Sequence, residues 1–338
     1  MKSVYVIAEA GVNHNGNVDF ARQLIKAAKA ASADAVKFQT FKAEKILTRN
    51  ASMAEYQKEN LGMEDTQFQM IKKLELSYEN FAELKTYAES IGIDFLSTPD
   101  DEDSLDFLSD KMDLPWIKIG SGEVTNLSFL RQIAAKQKPM ILSTGMSTLG
   151  EVERAFRLLR EINNEELVLL HCTTNYPCPS REVNLRAMLT LQQAFNTRIG
   201  YSDHTIGSEV SIAAVALGAK VIEKHLTLDK SLEGPDHHAS LDPEEFKEMV
   251  RQIRSIELAL GDGVKWPNPS EEKIKPLVRR RIVALHNLAA GTLLGWEHLS
   301  FKRANQGLYA EYVEILIGKR LQFDVKFDQP IFDYMCEH

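Results

Sequence analysis

A complete strand–helix–strand unit is contained in GYSDHTIGSEVSIAAVALGAKVIEKHL (200–226). Two strands joined by a helix pair in parallel through a right-handed crossover. The same pattern recurs from the start of the chain, with strand candidates at 4–8, 34–38, 93–97, 116–120, 139–143, 167–171, 198–202 and 220–226. Eight such units predict an α/β fold, a closed (β/α)8 TIM barrel.

The pattern changes after residue 265. The segment WPNPSEEKIKP (266–276) contains three prolines and no periodic apolar pattern, which predicts a linker. Short alternating runs such as RIVAL and LSFKR then predict a small β-rich domain. We therefore expect a barrel over 1–265, a linker over 266–276 and a second domain over 277–338. Within the barrel, the long connection over about residues 41–92 predicts an inserted helix or loop.

Composition excludes several classes of protein. The 40 basic and 48 acidic residues give a formal charge of −8, which disfavours a nucleic-acid binder. Three cysteines argue against a disulfide scaffold. No apolar run approaches the about 18 residues that span a bilayer, and the start, MKSVYVIAEAG, is typical of a strand and not of a signal peptide. We expect a cytoplasmic enzyme that binds neither nucleic acid nor membrane.

Polar side chains occur at the carboxyl end of every predicted strand. Active sites of (β/α)8 barrels are built at these ends, so the pattern predicts a functional ring. Its members are Glu9, Lys37, Gln39, Thr98, Lys118, Ser121, Ser143, Thr144, His171, Ser202, His204, Glu223 and His225.

The alternation of side chains along a strand directs two lysines into the barrel. In AVKFQT, Lys37 and Gln39 share one face, and Lys118 lies between two isoleucines. Inward ammonium groups with nearby hydroxyls suit a phosphate or carboxylate ligand. The alternative is that the lysines form structural salt bridges with Glu9, Glu123 or Glu223.

Two histidines end neighbouring strands. His204 and His225 follow strands seven and eight, and adjacent strands lie about 4.8 Å apart, so the imidazoles could bind one metal ion. Water and substrate oxygens would complete the coordination, and the ion would polarise a carbonyl. The alternatives are two hydrogen-bonded structural histidines, or one general base.

Together these motifs resemble the bacterial sialic acid synthase family, which comprises N-acetylneuraminate synthases and their legionaminate and pseudaminate relatives. The shared motifs are IAEAGVNHNG (7–16), AVKFQTFKAEKI (35–46), FLSTP (95–99), IKIGSGE (117–123), STGM (143–146), GYSDHTIG (200–207), VIEKHLTLD (221–229) and EGPDHHAS (233–240). The tail IVALHNLAAGTLLGWEHLSFKRANQG (282–307) looks like the family's C-terminal antifreeze-like (SAF, β-clip) domain.

The resemblance implies condensation of phosphoenolpyruvate with open-chain N-acetylmannosamine, giving N-acetylneuraminate and phosphate. A legionaminate synthase using 2,4-diacetamido-2,4,6-trideoxymannose is the alternative. The implied phosphoenolpyruvate contacts are Lys37, Thr98, Lys118, Ser121, Ser143 and Ser202. The implied sugar contacts are Gln39, Glu123, Thr174, Tyr176, Asp236 and Arg303. A divalent ion, Mn²⁺ or Mg²⁺, would be held by His204 and His225.

The implied catalytic residues are Glu9, Lys37, Lys118 and His204, with Glu9 or a metal-bound water as the base. Arg303 would reach the sugar site of the partner subunit in a domain-swapped homodimer. Departures from the family pattern occur at Thr174, at Asp100, where an aromatic residue is common, and in KRANQG (302–307). They concern the sugar and not the reaction. A synthase acting on a phosphorylated sugar and a non-catalytic carbohydrate-binding protein are the competing hypotheses.

Overall fold

The computed structural model describes residues 3–52, 66–163 and 165–337. Contacts divide the chain into two units, Met1–Gly261 and Asp262–His338. The described residues of the first unit form eight parallel strands, one at each of the eight candidate positions of the sequence. They are β1 (Tyr5–Gly11), β2 (Ala35–Thr40), β3 (Asp94–Pro99), β4 (Ile117–Ile119), β5 (Met140–Ser143), β6 (Leu167–Cys172), β7 (Ile199–Asp203) and β8 (Val221–His225).

The strands pair in the order β3-β2-β1-β8-β7-β6-β5-β4. The first barrel strand, β1, pairs with the last, β8. The strands β3 and β4 lie side by side, but no hydrogen-bonded ladder joins them. The sheet is therefore a nearly closed barrel, and the predicted (β/α)8 architecture is confirmed.

Helices follow the strands, and several of them begin at a residue whose side chain caps the helix. The helices are α1 (Val18–Ala30), α2 (Ala43–Ile46), α3 (Gln67–Leu74), α4 (Tyr78–Ser90), α5 (Glu102–Asp106), α6 (Leu127–Ala135), α7 (Leu149–Ile162), α8 (Ala187–Phe195), α9 (Glu209–Ala216) and α10 (Pro243–Leu260). In α1 the Asn17 side chain accepts two backbone N–H bonds, and Thr148 with Glu151 forms a capping box before α7. None of the described helices has the length and apolar character needed to cross a membrane.

Six of the eight barrel strands, all except β4 and β7, contribute buried apolar side chains to two cores. Outward side chains such as Phe38, Leu142 and Ile222 pack against the helices. Inward side chains near the amino ends of the strands form a separate apolar cluster, the barrel floor, which consists of Ile7, Ala35, Leu96, Ile141, Val168, Leu170 and Val221. Because side chains alternate, the next inward positions toward the carboxyl ends lie directly above this floor.

The predicted insertion after β2 contains α2 and α3. Val12, Phe41, Met70 and Leu74 form a small core beneath it. Residues 53–65 of the insertion lie outside the described part of the chain.

The second unit contains a small antiparallel sheet of β9 (Arg281–Ala284) and β10 (Leu299–Lys302), with its own core around Ile282, Leu299 and Leu316. The predicted small β-rich domain is confirmed. The stretch predicted as a linker, 266–276, instead contains most of α11 (Pro269–Val278). Proline is favourable at the first helical position, and Glu271 accepts the Asn268 backbone N–H. This helix buries none of its residues, so no apolar periodicity marks it in the sequence.

Candidate active site

A cavity of about 210 Å³ opens at the carboxyl ends of the barrel strands. Residues from all eight strands or the segments after them line it. The lining consists of Glu9, Lys37, Gln39, Thr98, Asp100, Lys118, Gly120, Ser121, Gly122, Ser143, Met146, Cys172, Thr174, Tyr176, Ser202, His204, Glu223 and His225. Most of the predicted ring therefore converges in one place.

Two lysines and two glutamates form the charged bottom of this cavity. Lys37 Nζ lies 2.7 Å from Glu9 Oε2 and 3.8 Å from Glu223 Oε1. Lys118 Nζ lies 3.7 Å from the same Glu223 oxygen. All four side chains are buried. The lysines are thus paired with carboxylates, as the structural alternative predicted, and they also line the cavity, as the functional interpretation required.

Hydroxyl groups surround the lysines. Lys37 donates to Thr98 Oγ1 at 3.1 Å, and Lys118 donates to Ser143 Oγ at 2.8 Å. Ser202 donates to Glu223 Oε1 at 3.2 Å. Ser121 Oγ accepts the Gly145 N–H at 2.9 Å, on the same side of the cavity as Cys172. Two cations among hydroxyls form a site complementary to a phosphate or carboxylate.

Burial and pairing shift the acidities of the charged groups. Burial raises the pKa of Glu9 to about 7, and the nearby Glu223 carboxylate adds to that shift while Lys37 opposes it. Burial by itself also raises the pKa of Glu223, but the nearby Lys118 and Lys37 hold that pKa below its usual value. Burial also lowers the pKa of Lys118. Of these two carboxyl groups, Glu9 is therefore the one that can gain or lose a proton near neutral pH.

The two predicted metal ligands lie side by side. The imidazole rings of His204 and His225 have centroids 5.7 Å apart. His204 Nδ1 lies 2.6 Å from the Thr173 carbonyl oxygen, which can only accept, so this nitrogen carries the proton and Nε2, 3.3 Å from Ser202 Oγ, carries the lone pair. The buried Nδ1 of His225 has no hydrogen-bond partner and lies 3.9 Å from Asp236 Oδ2.

Both histidines are suited to bind a metal ion. Burial lowers the pKa of His204 to about 4 and that of His225 well below its usual value, so both are neutral at pH 7, which is the form that ligates metals. The described residues contain no group of three or more His, Cys, Asp or Glu side chains that could hold an ion. A metal here would have two protein ligands and open positions, as in catalytic sites.

Three of the six predicted sugar contacts line the cavity: Gln39, Thr174 and Tyr176. Gln39 donates to Glu9 Oε1 at 3.3 Å, and the buried Thr174 Oγ1 has no hydrogen-bond partner. The Tyr176 ring packs against His204, with centroids 4.1 Å apart.

Two predicted sugar contacts of the first unit, Glu123 and Asp236, are not part of the cavity wall. Asp236 lies behind His225. Glu123 accepts from Asn126 and does not line the cavity. Arg303 belongs to the second unit.

Two predicted ring members face elsewhere. On β6 the inward positions are Val168, Leu170 and Cys172, so His171 points outward and contacts the Val183 carbonyl oxygen at 2.7 Å. Placing His171 in the ring was wrong because it was selected by its position at the strand end and not by its face. Thr144 lines a separate depression together with His171.

Five cavity residues were not assigned to the site from the sequence: Asp100, Cys172, Met146, Gly120 and Gly122. The alternation of inward positions identifies the first two, because Asp100 follows Thr98 by two residues and Cys172 follows Leu170 by two. Burial raises the pKa of Asp100 to about 7 despite the nearby Lys37. No comparable signal marks Met146, which lies in the loop after β5.

Comparison with known proteins relates both units to one group of enzymes. The NeuB family matches residues 24–265, and the SAF domain matches residues 279–335. Two relatives, from Campylobacter jejuni and Legionella pneumophila, are each named N,N'-diacetyllegionaminic acid synthase and are each 46% identical to the chain. The alignments cover 98% of the chain and 99% of the C. jejuni protein, and 95% and 91% for L. pneumophila.

A solved structure shares the fold. The N-acetylneuraminic acid synthetase from Leptospira borgpetersenii, in complex with citrate, is 33% identical to the chain and superposes with a TM-score of 0.71. The match covers 80% of this chain and 90% of that protein.

Proposed function

The chain belongs to the NeuB family, and from that premise we propose that it is a nonulosonic acid synthase. It condenses phosphoenolpyruvate with the open-chain aldehyde of a 2-acetamido mannose-type sugar to give a nine-carbon 2-keto acid and phosphate. One observation carries this proposal: two buried lysines among hydroxyls lie in the same cavity as two neutral histidines. An anion site beside a candidate metal site is what this condensation needs.

Phosphoenolpyruvate is bound by the lysines and hydroxyls. Its phosphate and carboxylate take the place of Glu9 and Glu223 as partners of Lys37 and Lys118, and Thr98, Ser121, Ser143 and Ser202 donate to their oxygens. Two carboxylates, Glu9 and Glu223, contact the two lysines, so an added anion favours protonation of whichever of the two has the higher pKa. That group is Glu9, which can take up a proton when the substrate binds.

His204 and His225 would hold a divalent ion, Mn²⁺ or Mg²⁺, that supplies Lewis-acid polarisation of the acceptor aldehyde. The Thr173 carbonyl fixes the ring of His204 so that Nε2 faces the cavity. The Tyr176 ring covers the two histidines and keeps this part of the site apolar.

The condensation consumes one water molecule for each molecule of phosphoenolpyruvate. Carbon C3 of phosphoenolpyruvate bonds to the aldehyde carbon, and the aldehyde oxygen takes the proton that Glu9 acquired when the substrate bound, which leaves Glu9 ionised. Water then adds to C2 and gives its proton to Glu9, which lies beside Lys37 at the bottom of the cavity. The C2–O bond to phosphate breaks, the remaining C2 hydroxyl gives its proton to the departing phosphate, and the 2-keto acid and phosphate leave. Lys37 and Lys118 hold the reacting carbon in position throughout.

We infer that the acceptor is 2,4-diacetamido-2,4,6-trideoxymannose. The relatives that are 46% identical are named legionaminic acid synthases, whereas the neuraminic acid synthetase of known structure is 33% identical. N-Acetylmannosamine, the acceptor that the motifs alone favoured, is the second candidate, because the same family includes enzymes named for neuraminic acid. Gln39, Thr174 and Tyr176 are the proposed acceptor contacts at the cavity, with Glu123 and Asp236 near it.

A homodimer completes the proposal. Arg303 of one subunit contacts the acceptor bound to its partner, through exchange of the SAF domains. Exposed aromatic side chains on the second unit, including Trp296, Phe323 and Phe327, support an interface there. We place the enzyme in the cytoplasm, because its three cysteines are free and buried, as is common in reducing compartments.

Phosphate release from phosphoenolpyruvate tests the proposal. The purified protein is assayed with Mn²⁺ and a panel of acceptors: the diacetamido-trideoxy sugar, N-acetylmannosamine and its 6-phosphate. The expected result is the highest kcat/KM with the diacetamido sugar. A preference for the 6-phosphate would instead support a synthase that uses phosphorylated acceptors. Failure of every hexosamine-type acceptor to release phosphate would refute the enzyme assignment and leave carbohydrate binding without catalysis.

A further inference from the structure

Behind the two histidines lies a second pair of charged residues that the proposed mechanism does not use. Asp203 and Lys224 are each fully inaccessible to solvent, and Lys224 Nζ lies 3.2 Å from Asp203 Oδ2. They occupy directly opposite positions on β7 and β8. Because side chains alternate, they point away from the cavity while His204 and His225, the next residues along the chain, point into it.

The Asp203 carboxylate is fully bonded. Its Oδ1 accepts the backbone N–H of Thr205 at 2.9 Å and the Thr205 hydroxyl at 2.8 Å. Its Oδ2 accepts the Ser211 hydroxyl at 2.6 Å in addition to Lys224. Lys224 also donates to the Thr205 carbonyl oxygen. Both backbone polar groups of the residue after His204 are therefore held by this pair.

His204 is also held by hydrogen bonds to the loop after β6. Its carbonyl oxygen accepts the Cys178 N–H at 2.8 Å, and its ring bonds to Thr173. The segment 203–205 is consequently fixed by bonds from β8, from α9 and from the loop after β6. Residue 224, which supplies the bonds from β8, is covalently joined to His225.

A stabilising role alone is a poor explanation of such a pair. Burying two charges costs about as much desolvation free energy as their attraction returns, and well-packed apolar residues of similar volume are often equally stable. What an ion pair adds is a defined register between two chain segments. The segments joined here carry the two candidate metal ligands.

We propose that Asp203 and Lys224 are positioning residues that set the separation of His204 and His225 for a divalent ion. The inference rests on the proposed function, because it takes the histidines as the metal ligands. It predicts that loss of the pair weakens metal binding even where the protein remains folded. Residues that orient metal ligands typically contribute about 10–100-fold in affinity.

The test is Mn²⁺ binding to the metal-free protein, measured by titration calorimetry alongside thermal unfolding. Lys224→Met and the double variant Asp203→Asn/Lys224→Met should bind Mn²⁺ about 10–100-fold more weakly than the wild type. The double variant leaves no unpaired charge, so it serves where the single variant does not fold. Ser211→Ala removes one bond to Asp203, keeps the ion pair and should give the smallest loss.

A matched control breaks an ion pair at the opposite end of the barrel. Arg254→Met removes the 2.7 Å contact with Asp34, just before β2, and should lower thermal stability without changing Mn²⁺ affinity. Folded variants of the Asp203–Lys224 pair that keep wild-type affinity would overturn the positioning role alone. If His225→Ala binds Mn²⁺ as well as the wild type, the proposed metal site fails and the positioning role fails with it.

Discussion

The inward faces of the barrel strands present two contrasting layers. Near the amino ends, inward positions are apolar and form the barrel floor of Ile7, Ala35, Leu96, Ile141, Val168, Leu170 and Val221. Two residues further along the same strands, the inward positions are Glu9 on β1, Lys37 on β2, Thr98 on β3, Ser143 on β5 and Glu223 on β8. A step of about 6.6 Å along each strand separates a packed core from a charged cavity.

The difference shows how the chain divides stability from chemistry. The floor buries apolar side chains against one another and stabilises the fold. The charged layer contains buried lysines and carboxylates, which contribute little net stability. Its preorganised charges are suited to bind and orient an anionic substrate. Substitutions in the upper layer should therefore change activity more than stability, and substitutions in the floor should do the reverse.

The largest expected effect is in the upper layer. Lys118→Met should lower kcat/KM for phosphoenolpyruvate by about 10²–10³-fold, because an ammonium donor to the substrate is lost. Its partner Glu223 keeps Lys37 and Ser202, so the melting temperature should change little. Steady-state kinetics and thermal unfolding measure both quantities. Lys136→Met, at a surface ion pair with Asp106, is the control and should leave kcat/KM unchanged.

In the barrel floor, a substitution should lower stability more than it lowers activity. Ile141→Ala, two residues before Ser143 on β5, should lower the free energy of unfolding by about 2–5 kcal/mol, because it leaves a cavity in a packed layer. The folded variant should keep kcat/KM within a few-fold of the wild type. Denaturant titration measures the loss, and Leu258→Ala, at an exposed position of α10, should show almost none. A large fall in kcat/KM without loss of stability would break the distinction between the layers.

A smaller effect should follow from Asp100 as a function of pH. Burial raises its pKa to about 7 in the folded protein, whereas the carboxyl group of an unfolded chain titrates near 4. The folded state thus binds the proton more tightly, so the stability contribution is complete below about pH 4 and is lost as pH rises through 7. Asp100→Asn does not titrate. Its melting temperature relative to the wild type should therefore be higher at pH 7.5 than at pH 4.

That comparison is made by differential scanning calorimetry at the two pH values. We expect a difference of a few degrees. Glu161→Gln removes an exposed carboxyl group on α7 and serves as the control. Equal shifts for both variants at both pH values would show that Asp100 is not held in a low-dielectric site.

The barrel could be predicted from the sequence because its strands are short apolar runs separated by amphipathic helices. The inward direction of Lys37 and Lys118 followed from alternation alone, and the structure places both in the cavity. The same rule was not applied to His171, which faces outward, or to Asp100, which faces inward. The pairing of each lysine with a particular carboxylate depends on distances between strands that are remote in the chain.

Other features left no sequence signal. The helix α11 is exposed on all sides, and only its cap residues mark it. The pairing of Asp203 with Lys224 requires the register of β7 on β8, which the sequence does not specify. Glu123 matches a family motif, yet its carboxylate accepts from Asn126 beside the cavity and not on its wall.

The most direct test of the account compares the wild type with His204→Ala in one assay of phosphate release from phosphoenolpyruvate. Both proteins are freed of metal, supplied with the diacetamido-trideoxy sugar and titrated with Mn²⁺, while circular dichroism monitors their fold. The account predicts that the wild type releases phosphate only with both acceptor and Mn²⁺, and that folded His204→Ala shows no Mn²⁺-dependent turnover. Full activity of the folded His204→Ala variant would contradict it.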